Sequence, residues 1–129
     1  MLTLTCDDAI AIFDQAIHAG PLLDRGRFEG AVAAPFGGFG VQEFYPTLDE
    51  KVARLIFEVC QAPAFMDGNK RLTWLCAMVV YRSAGVVLNV DQVEAANTVR
   101  QVAAGQLTYG QLRDWIIECR RDLPPLASD

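Results

Sequence analysis

The sequence predicts an all-α fold, a helical bundle gathered round one central buried helix and carrying one small β-hairpin. Three observations lead there. Apolar residues recur at three- and four-residue spacing in several stretches, each opened by a capping residue and closed by glycine or proline. Residues 72–81 are apolar apart from Thr73, the pattern of a helix enclosed by others. Only 36–44 carries a strand-like signature.

At 129 residues, 52% apolar and 21% charged, the chain can build one domain with a real core, read here as 1–123, with 124–129 as a disordered tail. A net charge of −5 argues against a general binder of nucleic acid. Cys6, Cys60, Cys76 and Cys119 are widely spaced, with no C-x-x-C pair and no neighbouring histidine, so they read as free thiols in a reducing compartment. The N-terminus has no basic segment followed by an apolar run, and no apolar stretch approaches the ~20 residues of a membrane span, so the chain is read as cytoplasmic.

Taken in order, the first helix starts at Asp7 or Asp8, shows Ala9, Ile12, Phe13 and Ile17 on one face, and stops at Gly20. His18, the only histidine, falls in its last turn, where a cationic imidazole suits the helix dipole; a structural role outweighs a catalytic one. A short helix follows over 25–33, weakened by Gly26 and Gly30. Gly37-Gly38 between Phe36 and Phe39 signals a hairpin, the one plausible β segment; the alternative is a loop whose Phe36, Phe39 and Phe44 pack on the core.

Thr47 and Glu50 form a capping box opening a helix with Leu48, Val52, Leu55, Ile56 and Val59 on one face, which should lie on the central helix. That helix ends near Ala62, because Pro63 disfavours helical geometry in the residue before it. The central helix frays by Arg82 and closes at Gly85. Asn89 or Asp91 caps the next, with Val93, Ala96, Val99 and Val102 inward and Gly105 at its end. A second box, Thr108 to Gln111, starts the last helix, with Leu112, Trp115, Ile116 and Cys119 on one side.

Between the third helix and the central one lies Pro63-Ala64-Phe65-Met66-Asp67-Gly68-Asn69-Lys70-Arg71. The free N–H groups and positive dipole end of a helix start attract anions. Gly68 permits close approach of a phosphate, Asn69 can donate to it, and Lys70 and Arg71 add a point charge and a bidentate fork. Asp67 can hold Mg²⁺, which prefers carboxylate oxygen. Phe65 can anchor the loop by burying its ring. The same residues also suit a cap and a solvated first turn with no ligand, although cations there oppose the dipole.

This stretch resembles the signature of the Fic/Doc (Fido) superfamily, H-x-F-x-[DE]-G-N-[GK]-R. Phe65, Asp67, Gly68, Asn69, Lys70 and Arg71 match in register; Pro63 stands in place of the histidine. Lys70, with Trp74 where adenylylating members carry an arginine, is similar to the Doc (death-on-curing) toxin branch, as are the segments 23–35 and Tyr45-Pro46-Thr47-Leu48. The resemblance implies a Fido-type bundle round the helix that carries the motif, and a flap at Phe36, Gly37, Gly38 and Phe39 that aligns a target segment by strand addition. It further implies transfer of a phosphoryl group from ATP, with Mg²⁺ on Asp67, to a Ser/Thr hydroxyl of a translation elongation factor.

In the family the histidine is the general base. Proline cannot take a proton, and losing a positioned base costs about 10² to 10⁴ in rate. The resemblance therefore implies a toxin that is inactive or severely impaired as the sequence stands. Its alternative is a catalytically silent Fido protein that binds nucleotide or a partner, and adenylyl transfer ranks third. Self-restraining Fic proteins carry an [ST]-x-x-x-E-[GN] helix; the Glu-Gly or Glu-Asn pattern here reduces to Glu29-Gly30, with Arg25 four residues before Glu29. Control is thus expected in trans, from a Phd-like antitoxin.

Overall fold

The computed structural model describes residues 3–124. Among them are six α-helices, the expected hairpin, and a second two-stranded sheet. The tail expected to be disordered lies, from 125 onward, outside the described residues.

Helix α1 (Cys6–Ile12) is capped by Thr5, upstream of Asp7 and Asp8. The Thr5 hydroxyl accepts from the Asp8 N–H at 3.1 Å and Asp8 Oδ2 accepts from the Thr5 N–H at 3.0 Å, a reciprocal box that replaces the expected start at Asp7 or Asp8. Asp7 and Asp8 therefore lie in the first turn, where carboxylates suit the dipole. The helix runs on as a π-helical turn, Phe13–Ile17, and is ended by His18 at φ 53°, two residues before Gly20. A left-handed histidine costs about 1 kcal/mol, and the bend it makes brings Ile17 and Ala19 against Gly68.

Helix α2 (Arg25–Ala33) has its expected bounds and is capped by Asp24. Strands β1 (Gly38–Phe39) and β2 (Gln42–Glu43) pair antiparallel, Gly38 opposite Glu43, with Gly40 and Val41 at the turn. A Cβ on Gly38 would come 2.3 Å from the Gln42 carbonyl oxygen, so this glycine serves close approach of the strands, not the turn itself. Phe39 and Phe44 are exposed and Phe36 is half-buried. The base of the hairpin is tied to buried Lys51, whose ammonium meets Glu43 Oε1 at 2.9 Å and donates to the Tyr45 carbonyl.

Helix α3 (Leu48–Gln61) is the most enclosed element, packing on α2, on α4 (Asn69–Ser83), on α5 (Gln92–Ala103) and on α6 (Tyr109–Cys119). Val52, Leu55, Ile56 and Val59 are buried along it, with Leu48 partly buried at its start. Half of the expected box forms. The Thr47 hydroxyl accepts from the Glu50 N–H at 3.1 Å, but Glu50 takes its hydrogen from that same hydroxyl, at 2.9 Å, instead of from the backbone.

Helix α4 is buried through Leu72, Thr73, Cys76, Ala77, Val80 and Tyr81, yet it is not surrounded: Val79 is 40% exposed and Leu75 and Met78 are half-covered. Asp91 caps α5. Val93 and Ala96 face water, against expectation; Ala95, Thr98, Val99 and Val102 point inward. Thr98 can take an inward position because its hydroxyl donates to the Glu94 carbonyl at 2.9 Å, a device that apolar periodicity alone does not register. The box at Thr108 and Gln111 forms in full.

The second sheet pairs β3 (Val86–Leu88) with β4 (Arg120–Asp122), so 36–44 is not the only β segment. Arg120-Arg121-Asp122 has no strand propensity of its own. It is held by the Asp49 carboxylate, which accepts from Arg120 Nη1 at 2.7 and 2.9 Å and from the Tyr81 hydroxyl at 2.6 Å. Burial and the Asp49 carboxylate push the Tyr81 hydroxyl pKa upward, so it stays a donor. This junction joins the start of α3, the end of α4 and β4. No helix among the described residues is long and apolar enough to cross a membrane.

Removing one member of a partly buried charged network strands the others. Asp49→Ala should lower unfolding free energy by about 3 kcal/mol, read from urea denaturation. A loss below about 0.5 kcal/mol, the range of ordinary surface substitutions, would mean that the junction is not stabilising.

Candidate functional site

The segment 62–68 leaves α3 at Ala62, whose φ of −122° and ψ of 65° are non-helical as the following proline requires. Three contacts shape it. Phe65 is buried, stacked on Phe13 with ring centroids 3.8 Å apart and met edge-on by Phe28 at 5.2 Å. The Asn69 side chain clamps the loop: its Oδ1 accepts from the Phe65 N–H at 3.0 Å and its Nδ2 donates to the Phe65 carbonyl at 2.8 Å. The chain before α2 then closes over it, with the Leu23 N–H donating to the Ala64 carbonyl at 2.7 Å and the Met66 N–H to the Pro21 carbonyl at 3.1 Å.

Gly68 caps α4 at φ 81°, and a Cβ there would lie 2.6 Å from Ile17 Cγ2. The residue is required by the backbone and by the packing of the first helix, before any ligand is considered. No side chain caps α4, and the N–H groups of Asn69, Lys70 and Arg71 have no acceptor among the described residues. Those three residues line a cavity of about 1020 Å³. Its walls include Arg27, Cys60, Pro63, Asp67, Gly68, Asn69, Lys70 and Arg71, closed by Ile17 and Ala19 on one side and Ala103 to Gly105 on another.

The cavity is cationic in a chain of net charge −5. Arg27, Lys70 and Arg71 pair with no carboxylate among the described residues, and the one carboxylate on the wall is Asp67. Asp67 Oδ1 accepts from the Gly68 N–H at 2.8 Å, leaving Oδ2 for a cation. No group of three or more metal-ligating side chains occurs among the described residues. A cation at Asp67 would be held mainly by its anionic ligand and water, which fits Mg²⁺.

No imidazole reaches this space. His18 is not among its lining residues, and Pro63 forms an exposed part of the wall. Cys60 is the remaining thiol; its Sγ donates to the Val99 carbonyl at 3.3 Å, and burial pushes its pKa up to about 11, against the lowering charge of Lys70.

The sequence-predicted Pro63, Asp67, Gly68, Asn69, Lys70 and Arg71 thus share one cavity, while Phe65 sits beneath it in the core. Phe36, Gly37, Gly38 and Phe39 do not line it; their hairpin is tied to the first turn of α3, and the loop follows that helix's last turn. Asn69 spends its carbonyl oxygen and one N–H on Phe65, leaving one amide hydrogen for a ligand. Arg27 was missed. The signal for it was faint: of Arg25 and Arg27, the first is neutralised by Asp7 and Glu29, and the second is not.

A thiol with a pKa near 11 is about one-thousandth thiolate at pH 8. In the folded protein Cys60 should resist iodoacetamide at that pH while Cys6 and Cys119, which are partly exposed, are modified. Its reactivity should rise as pH climbs toward 11, because the raised pKa delays thiolate formation. Mass spectrometry of tryptic peptides reads this, and Cys60 reacting as fast as Cys119 at pH 8 would contradict the burial argument.

No protein-family model matches this chain. The chain is similar to Toxin Doc of Mycolicibacterium smegmatis (strain ATCC 700084 / mc(2)155), at 35% identity over 68 residues. The match takes in 53% of this chain and 52% of that protein, so it spans about half the length of the relative.

Proposed function

We propose that this chain is a Doc-like toxin of a toxin–antitoxin pair whose cavity takes Mg²⁺-ATP, and that it binds the nucleotide without efficient turnover. The family activity would be phosphoryl transfer to a Ser/Thr hydroxyl of a translation factor. The observation that carries the reading is a cationic cavity, with free helix N–H groups and one carboxylate, that has no side chain suited to removing the target's proton. Similarity to Toxin Doc supports the toxin assignment.

In this reading Lys70 and Arg71 hold phosphate oxygens together with the first-turn N–H groups of α4. Asp67 holds Mg²⁺, which would neutralise charge on the phosphates. Small side chains at Ala103 and Ala104 leave room along the opposite wall. A Phd-like antitoxin would supply control. Proton removal is the one role unfilled. Cys60 is protonated at neutral pH, and a metal-bound carboxylate is a weak base.

The lack of a base also favours a second reading, a silent protein that binds nucleotide or a partner without chemistry. Pro63→His separates the two. The side chain at 63 is exposed on the cavity wall, so an imidazole there displaces no core contact. Three nearby cations would favour its neutral, proton-accepting form. The variant, incubated with radiolabelled ATP and a bacterial lysate, should label a protein band, and Asp67→Ala in the same background should abolish it. A folded, nucleotide-bound variant that labels nothing would leave the silent reading. In the unaltered chain Arg71→Ala should weaken Mg²⁺-ATP by about 1.5 to 3 kcal/mol; calorimetry giving equal affinities would remove Arg71 from the site.

A further inference from the structure

We propose that Arg27 is a specificity-determining residue of the cavity, a third anion ligand that selects a chain of phosphoryl groups over a single one. This rests on the reading of the cavity as a nucleotide site. Lys70 and Arg71 stand together on the first turn of α4 with the free N–H groups, enough to satisfy one phosphoryl group. Arg27 comes from α2 and faces the same space. A cation on a second wall has no role toward a group already satisfied at the helix start. It has one toward the next phosphoryl group along.

The placement of Arg27 is built in. Its own N–H donates to Asp24 Oδ1 at 3.0 Å, fixing the first turn of α2. The Leu23 and Asp24 N–H groups donate to the Ala64 carbonyl at 2.7 and 3.3 Å, so the start of α2 hangs on the phosphate loop itself. The next residue, Phe28, is buried edge-on against Phe65, the ring under that loop. The backbone at Arg27 and the start of α4 therefore belong to one frame, so binding has only the exposed Arg27 side chain to order. Two residues away, Arg25 is engaged by Asp7 at 2.9 Å and Glu29 at 2.8 Å, whereas Arg27 has no carboxylate partner among the described residues. With Lys70 and Arg71 it gives three positive charges against Asp67, a balance suited to a polyanion.

The test is calorimetry at fixed salt and Mg²⁺ with ATP, pyrophosphate, AMP and orthophosphate, on the unaltered protein, Arg27→Ala, Arg27→Gln and Arg25→Ala. Arg27→Gln keeps the aliphatic stem and guards against a packing effect, and circular dichroism confirms folding. Arg25→Ala makes the same change in net charge outside the cavity. Both Arg27 variants should lose about ten- to a hundredfold in affinity for ATP and pyrophosphate and less than about threefold for AMP and orthophosphate, with Arg25→Ala unchanged. Unaltered ATP affinity in the Arg27 variants, equal losses for single and linked phosphates, or the same loss in Arg25→Ala would each overturn the proposal while the nucleotide reading stands. If the unaltered protein binds none of the four, the nucleotide reading fails and Arg27's role fails with it.

Discussion

The clamp between Asn69 and Phe65 is the constraint on which the rest of the site depends. One side-chain amide satisfies both the N–H and the carbonyl of Phe65, and so closes the loop onto the start of the helix that follows it. The closure presses the Phe65 ring between Phe13 and Phe28, drawing together residues from the first helix, the second and the loop. The bond pair alone is worth about 1 kcal/mol per hydrogen bond; its leverage comes from the aromatic burial it holds in register. With the loop fixed, α4 begins at Asn69, after the Gly68 cap, and its first three residues line the cavity.

How much of this the sequence discloses follows the range of each interaction. Local signals read well: Thr47, Asp91 and Thr108 cap where their chemistry indicates, and Ala62 leaves the helix because a proline follows. Thr5 was overlooked because two aspartates beside it carry the same capping chemistry. Val93 and Ala96 were assigned inward because a polar Thr98 hid the true stripe; a hydroxyl bonded back to its own helix counts as apolar surface, and periodicity cannot know that. The strand at 120–122 was illegible, since Arg120 is held by Asp49, 71 residues earlier in the chain. In the site, the contiguous residues could be read together, but Arg27 joins them only through the folding of α2 onto the loop.

Gly68 and Asn69 show why a motif read as ligand chemistry can hold structural chemistry as well. Gly68 admits Ile17, and Asn69 binds backbone, so both are occupied before any phosphate arrives. The groups left over for a ligand are the ones the fold does not use: the cations Arg27, Lys70 and Arg71, one oxygen of Asp67, one amide hydrogen of Asn69, and three backbone N–H groups. Unpaired cations at a helix start work against the dipole. A protein of net charge −5 has carboxylates enough to neutralise them, yet spends these at Arg25, Lys51, Arg54 and Arg120. The free charge is concentrated where an anion can enter.

Pro63 ends α3 by restricting Ala62, but its side chain joins neither set. The clamp, the aromatic stack, the glycine contact and the strand-like bonds to the chain before α2 involve residues 64 to 69, and none passes through the side chain at 63. None of these contacts depends on whether that side chain can take a proton. The proposed phosphoryl transfer would depend on it: losing a positioned base costs about 10² to 10⁴ in rate, and no imidazole lines the cavity. If the cavity is the nucleotide site proposed above, binding and turnover would rest on different residues of one loop, and a single substitution could remove the second while leaving the first in place.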